Sequence, residues 1–338
     1  MSRHVNIPIF IPHLGCPNQC VFCNQRTISG VSEFDESCVQ AQIEEALSTI
    51  ESDAKVEIAF FGGSFTGIDR DLMVTLLSTA YEYIKLGRVD AIRCSTRPDY
   101  IDEEILAILK EYGVKTIELG LQSASDDVLT LTKRGHDFEA EKRACSMIVE
   151  AGFSLVGQMM IGLPGSDIES EIRTAEFIVS MGAMAARIYP TVVFRETELC
   201  RMAECGEYQP LTLDEAIERS ATVLEMFDAA KVDVIRIGLA ASENLSSSET
   251  YYAGPNHASL GELIENELYY RKIKKILAGK NISSNSHINI LVPIGSLSKA
   301  VGQKKKNRLR LASDFPGTSI RFSESDLLSG YGVLVNIS

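Results

Sequence analysis

Apolar and polar positions follow two rhythms along the first 240 residues. Short apolar runs recur at 6–12, 55–61, 91–95, 116–121, 155–161 and 185–189. Each is too short for a core helix and is bounded by turn residues, which predicts buried strands. Between them the spacing is helical. Val39, Ile43, Ala46, Leu47 and Ile50 share one face, as do Leu72, Leu76, Leu77 and Ala80, and then Ile105, Leu109 and Tyr112. Asp102 and Asp167 stand where N-caps are expected, and Gly113 and Gly152 where helices end. Strand–helix units in succession predict a parallel sheet, because each helix carries the chain back to start the next strand. Six units without room for eight predict an α/β fold, a partial (β/α)6 TIM-like barrel. Its chemistry is then expected beyond the carboxyl ends of the strands.

A helix at 213–231 and a short apolar run at 234–237 close this part, giving a first domain over 1–240. Residues 241–259 are rich in Ser, Gly and Asn and read as a connection. The tail, 260–338, offers a helix at 260–278, a strand at 288–292, a basic helix at 296–311 and strands at 319–322 and 332–337. That is a small α+β appendage. No tandem repeat accompanies it.

Composition narrows the class. At 45% hydrophobic and 23% charged residues the chain of 338 is globular, not disordered. No run approaches the ~18 apolar residues of a membrane span. The opening residues lack a basic region, a long apolar core and a cleavage site, so no secretory signal is expected. A cytoplasmic location with no membrane partner follows, and there clustered cysteines do metal or redox chemistry. The net charge of -13 is uneven: residues 260–338 hold 12 Lys and Arg against 6 Asp and Glu, and the remainder 21 against 40. A uniformly basic nucleic-acid binder is excluded, but not a basic tail on an acidic body.

The chemistry begins after the first strand, with Cys16, Cys20 and Cys23. Three thiolates at this spacing can converge on one centre, and soft sulfur selects iron–sulfur clusters, zinc or copper(I). Three ligands on a [4Fe–4S] cube leave one iron open. The alternative is a structural zinc site with His13 as fourth ligand, in a non-catalytic RNA-binding or scaffolding protein. Other strand ends carry Gly62-Gly63-Ser64, Ser95 to Tyr100, Gln122-Ser123 followed by Lys133-Arg134-Gly135-His136, and Gln158 to Gly165. Adjacent glycines permit close backbone approach to a ligand. Cys38, Cys94 and Cys145 fall on apolar positions and read as small buried hydrophobes, and Met159-Met160 as core. Cys200 and Cys205 are the remaining pair. His136 is a second-rank candidate in a functional loop, and Tyr189 faces either the substrate or the core.

These motifs, in this order at successive strand ends, resemble the radical S-adenosylmethionine (radical SAM) superfamily. The resemblance covers roughly residues 5–240. It is nearest the radical SAM domain of the elongator catalytic subunit and extends to oxygen-independent coproporphyrinogen oxidase. It implies that Cys16, Cys20 and Cys23 ligate a [4Fe–4S] cluster and that S-adenosyl-L-methionine (SAM) binds its open iron. Phe22 would lie near the adenine, Gly62 and Gly63 would receive the SAM amino group, Gln122 would hydrogen-bond SAM, and Arg134 would pair with its carboxylate. Ser64 stands where a glutamate is usual, and Ser95 and Gln158 where the oxidase pattern has acidic residues holding the ribose and amino group. The implied activity is reductive cleavage of SAM and hydrogen-atom abstraction from a substrate. A flavodoxin- or ferredoxin-like donor would supply the electron. The elongator side points to tRNA, with the basic run 304–310 offering phosphate contacts. The oxidase side points to a porphyrin or another small molecule.

Overall fold

The computed structural model describes residues 4–11, 14–16, 20–24, 34–51, 53–239, 247 and 249–338. Its main sheet is built from β1 (His4–Ile11), β2 (Lys55–Gly62), β3 (Ala91–Thr96), β4 (Val114–Gln122), β5 (Ser154–Ile161) and β6 (Ala185–Pro190). A two-residue strand β7 (Val193–Phe194) lies apart, and β8 (Asp233–Ile237) completes the sheet. The order is β1-β2-β3-β4-β5-β6-β8, and every pairing is parallel. Neighbours in sequence are neighbours in space, as in a barrel, and the first and last strands stay unpaired with each other. The open barrel therefore has seven strands where six units were expected. The seventh is the run at 234–237. Asp233, Ile235 and Arg236 are exposed and two of them are charged, so it lacks the continuous apolar signature of the others.

Helices α1 (Val39–Thr49), α2 (Arg70–Lys85), α3 (Glu103–Glu111), α4 (Asp126–Leu131), α5 (Phe138–Glu150), α6 (Ile168–Ser180), α7 (Glu198–Glu204) and α8 (Leu213–Ala230) connect the strands. Their ends are set by local chemistry. Asp102 accepts from Ile105 N at 2.7 Å, and Asp167 forms a capping box with Ser170. These caps satisfy backbone donors that a helix start leaves open.

The two faces of the strands differ in kind, as period-2 alternation requires. One face packs against the helices. Ile58, Phe60, Ile92, Cys94, Ile117 and Leu119 meet Leu76, Leu77, Leu109 and Ile148 in one core. The other face carries a polar ladder across the barrel. Glu57 pairs with Arg93 at 2.5 Å, Arg93 with Glu118 at 2.8 Å, and Glu118 with Arg187 at 2.7 Å. Glu118 is fully buried and also accepts from Gln158 Nε2 at 3.2 Å. A buried carboxylate is tolerated only with such partners.

The appendage is a three-stranded sheet of β10 (His287–Pro293), β11 (Ser319–Ser325) and β12 (Leu334–Ile337), in the order β11-β10-β12. Helix α9 (Leu260–Ala278) belongs to both cores. Leu260, Ile264 and Leu268 sit in the barrel core, and Tyr269, Ile273 and Leu277 in the appendage core. A further strand, β9 (Tyr251–Ala253), pairs antiparallel with β7. The expected basic helix at 296–311 is broken into α10 (Leu297–Val301), a 3-10 turn Gln303–Lys305 and α11 (Lys306–Asp314). Gly302, Lys304 and Lys305 all have positive φ, which no continuous helix accommodates. Among the described residues no helix is long and apolar enough to cross a membrane.

Candidate functional site

The segment after β1, the carboxyl ends of β2, β3 and β4, and Gln158 of β5 border a cleft of about 1000 Å³. Cys16, Cys20 and Cys23 line it, with Phe22, Gly62, Gly63, Ser95, Gln122, Arg134 and Gln158. Ser64 stands apart from that set. It is fully buried behind the wall, where its Oγ lies 2.8 Å from Thr96 Oγ1 and accepts from Arg97 N at 3.3 Å. His13 and residues 17–19, which include the loop between the first two cysteines, lie outside the described residues.

The glycine turn fixes the start of the cysteine segment. Gly63 N donates to Ile11 O at 2.8 Å, and Ser64 N to Leu14 O at 3.0 Å. A Cβ on Gly63 would fall 2.0 Å from Leu14 O, and Gly62 has φ +113°. Only glycine allows this approach. On the far side, Val21 N donates to Thr132 O at 3.1 Å, and Leu199 N to Val21 O at 2.8 Å. The segment is thus bonded to the chain beyond α4 and to α7.

Cys20 is the innermost of the three thiols, 8% exposed. Two guanidiniums reach its Sγ: Arg134 Nη1 at 3.2 Å and Arg97 Nη1 at 3.8 Å. Burial pushes the Cys16 thiol up from its ordinary pKa, and the charge of Arg97 acts against that. Gln122 has φ +73° at a bulge in β4, and its Oε1 is buried without a hydrogen-bond partner. A stranded acceptor of that kind costs roughly 1–3 kcal/mol until a donor meets it. Gln158 Nε2 donates to Ser95 Oγ at 3.1 Å, joining the polar ladder to the cleft.

Among the described residues no three His, Cys, Asp or Glu side chains are gathered as a metal site. The donor chemistry nonetheless fits an iron–sulfur cluster. Three soft sulfur residues line the cleft, and two guanidiniums at Cys20 offset the negative charge that thiolates would bring.

Arg97 is a site residue that the sequence reading did not single out. The available signal is its place just past the end of β3, two residues after the expected Ser95. The His136 side chain is 1% exposed and lies outside the cleft. Its Nδ1 is 3.5 Å from Asp99 Oδ1 and its Nε2 3.2 Å from Glu141 Oε1. Burial raises the Asp99 carboxyl, but hydrogen bonds from His136 and Arg97 outweigh it and hold the group well below the usual range. Burial pushes Glu141 up to about 7, against the opposing pull of His136.

The Tyr189 hydroxyl accepts from Arg187 Nη1 at 3.3 Å on the ladder face. Cys94, Cys145 and Met159 are core, as expected. Cys38 is not: it is exposed, and its thiol donates to Asp35 at 3.3 Å, because it precedes the first turn of α1 rather than lying on its inner face. Cys200 is buried and Cys205 exposed. Of the basic run, Lys304, Lys305, Lys306 and Arg308 are exposed, whereas Arg310 stacks on Tyr270 at 3.4 Å and pairs with Glu267.

Residues 10–178 match the sequence profile of the radical SAM superfamily, and residues 184–270 that of the radical SAM C-terminal domain. The chain is 29% identical over 199 residues to the tRNA uridine(34) acetyltransferase of Methanocaldococcus jannaschii, covering 53% of this chain and 37% of that protein. It therefore spans little more than a third of that relative's length. An uncharacterized protein of the same organism is 30% identical over 221 residues, 62% of this chain and 67% of its own. The structure of Elp3 from Methanocaldococcus infernus, with its N-terminus deleted, superimposes with a TM-score of 0.61 at 22% identity. That match covers 82% of this chain and 64% of the other, and speaks for the fold.

Proposed function

The chain belongs to the radical SAM superfamily, and from that premise we propose that it is an enzyme with a [4Fe–4S] cluster on Cys16, Cys20 and Cys23. SAM occupies the adjoining cleft, and the substrate is a tRNA. The observation that carries the reading is convergence. Residues at the carboxyl ends of β2, β3 and β4, and Gln158 within β5, line one cleft with the three cysteines. A structural zinc site wants four closed ligands and has no use for such a cleft.

Held by Cys16, Cys20 and Cys23, the cluster would supply the electron for reductive cleavage of SAM and so for hydrogen-atom abstraction from the substrate. The chain's own residues bind, orient and exclude water. Gly62 and Gly63 bring bare backbone to the SAM amino group. Gln122 hydrogen-bonds SAM, and the charge of Arg134, whose Nη1 and Nη2 also reach Cys20 Sγ and the Gly120 carbonyl, attracts its carboxylate. Phe22 lies against the adenine. Ser95 and Gln158 reach the ribose and amino group as neutral partners. An external flavodoxin- or ferredoxin-like donor provides the electron. The tRNA reading draws on the activity named for the M. jannaschii relative. It draws also on the exposed Lys304, Lys305, Lys306 and Arg308, whose charge suits phosphate.

Anaerobic reconstitution is the test. The expected product is brown, contains iron and sulfide in equal amounts, and forms 5′-deoxyadenosine with dithionite, faster with small RNA present. Colourless protein with stoichiometric zinc, or a fully loaded cluster that yields no deoxyadenosine under any condition, overturns the enzyme reading. Formation indifferent to RNA overturns the tRNA part alone.

A further inference from the structure

Arg97 carries a permanent charge yet is only 4% exposed. Its fork is fixed on several sides. Nε donates to Asp99 Oδ1 at 2.9 Å and Nη2 to Asp99 Oδ2 at 2.8 Å. Nη2 also donates to the carbonyl of Arg134 and lies 3.5 Å from His136 Nδ1. The remaining edge, Nη1, is aimed at Cys20 Sγ. Behind Asp99 stand His136 and Glu141, both buried, so the chain Arg97–Asp99–His136–Glu141 gives the guanidinium a rigid backing.

A salt bridge needed only for the fold has no reason to point at the most buried of three cysteines. Cluster potentials are set by net charge, by hydrogen bonds to the sulfurs and by solvent exposure. Arg97 bears on the first two at Cys20. We propose that Arg97 is a positioning residue that raises the reduction potential of the cluster through Cys20, with Asp99 as the counterweight. The inference rests on the cluster assignment above. In the step concerned, the [4Fe–4S]²⁺ cluster takes one electron from an external one-electron donor and becomes [4Fe–4S]⁺; no bond forms or breaks. A positive charge beside the sulfur favours the added electron, and the carboxylate beside that charge opposes it. The two side chains therefore act with opposite sign.

The experiment uses the full-length chain, reconstituted anaerobically. Iron and sulfide are counted, thermal unfolding is recorded, and the midpoint potential is measured by dye-mediated titration against the EPR signal of the reduced cluster. Arg97→Gln is expected to shift the reduction equilibrium at least tenfold against the reduced state, about 59 mV for one electron. Arg97→Lys, which keeps the charge, recovers at least half of that shift. Asp99→Asn moves the potential upward. Potentials within threefold of wild type in both neutral variants overturn the proposal, as do shifts of the same sign, which mark packing damage. Where Arg97→Gln does not retain a cluster, Asp99→Asn decides: a rise supports the proposal and no rise overturns it. A wild-type chain that takes up no iron and sulfide fails earlier and overturns the cluster assignment with it.

Discussion

Glu141 shows how one residue's environment becomes a property of the molecule. It is fully buried, and burial pushes its pKa from 4.5 up to about 7. His136 and Arg134 lower it and Asp126 raises it. Because the folded-state value lies above the unfolded one, the folded chain holds the proton over the interval between them. Stability from this group is therefore fully present below about 4.5 and is lost as pH rises through about 7. Glu141→Gln removes the titration while keeping the shape. Urea unfolding at pH 5.5 and pH 8 should show wild type losing stability relative to the variant, on the order of 1–3 kcal/mol. An equal difference at both pH values contradicts this account. The three cysteines, the glycine pair and Gln122, singled out by motif and resemblance, are brought to one cleft. Arg97 was not legible in the sequence, because an arginine after a strand reads as a surface charge until its burial is seen. His136, close to Arg134 in sequence, has its side chain buried beside Asp99 and Glu141 and does not line the cleft.

Between elements, the junction of β1 and β2 matters most, since it sets where the cysteine segment begins. A methyl group on Gly63 would meet backbone rather than a flexible side chain, so the segment must shift. Gly63→Ala is expected to destabilise by roughly 1–3 kcal/mol, as overpacking does. It should also lower iron uptake on reconstitution well below wild type, while circular dichroism shows the same helix and strand content. Full iron uptake contradicts the claim that this contact places Cys16. A helix cap offers a contrast away from the site. Asp102→Ala should cost about 1 kcal/mol by removing the acceptor for Ile105 N, with iron uptake unchanged. Elements with strong periodicity were legible, since burial on one face writes itself into the sequence. β8 was underread because much of it is exposed, and the helix at 296–311 was overread. There the lysines at 304 and 305 take positive φ, a tertiary demand that composition does not announce.

For the whole molecule, the uneven charge and the shared helix make one argument. Helix α9 belongs to both hydrophobic cores, so the basic appendage is packed against the acidic barrel rather than tethered by a loose linker. A polyanion held by Lys304, Lys305, Lys306 and Arg308 would then sit in a fixed relation to the cleft. These side chains point to solvent, while Asn307 and Leu311 anchor the same helix inside. Replacing Lys304, Lys305 and Lys306 together by Ala should therefore leave stability within about 0.5 kcal/mol at each site. Withdrawing one lysine from a phosphate flattens the dependence of log affinity on log salt by about 0.7 for a single strand and 0.9 for a duplex. The triple variant should flatten it by roughly 2–3 for bulk tRNA, and RNA should no longer stimulate its formation of deoxyadenosine. Its RNA-independent rate should match wild type, because none of the three residues lines the cleft. A salt slope unchanged by the substitutions would move RNA binding off the appendage and onto the barrel, where the acidic excess makes it hardest to sustain.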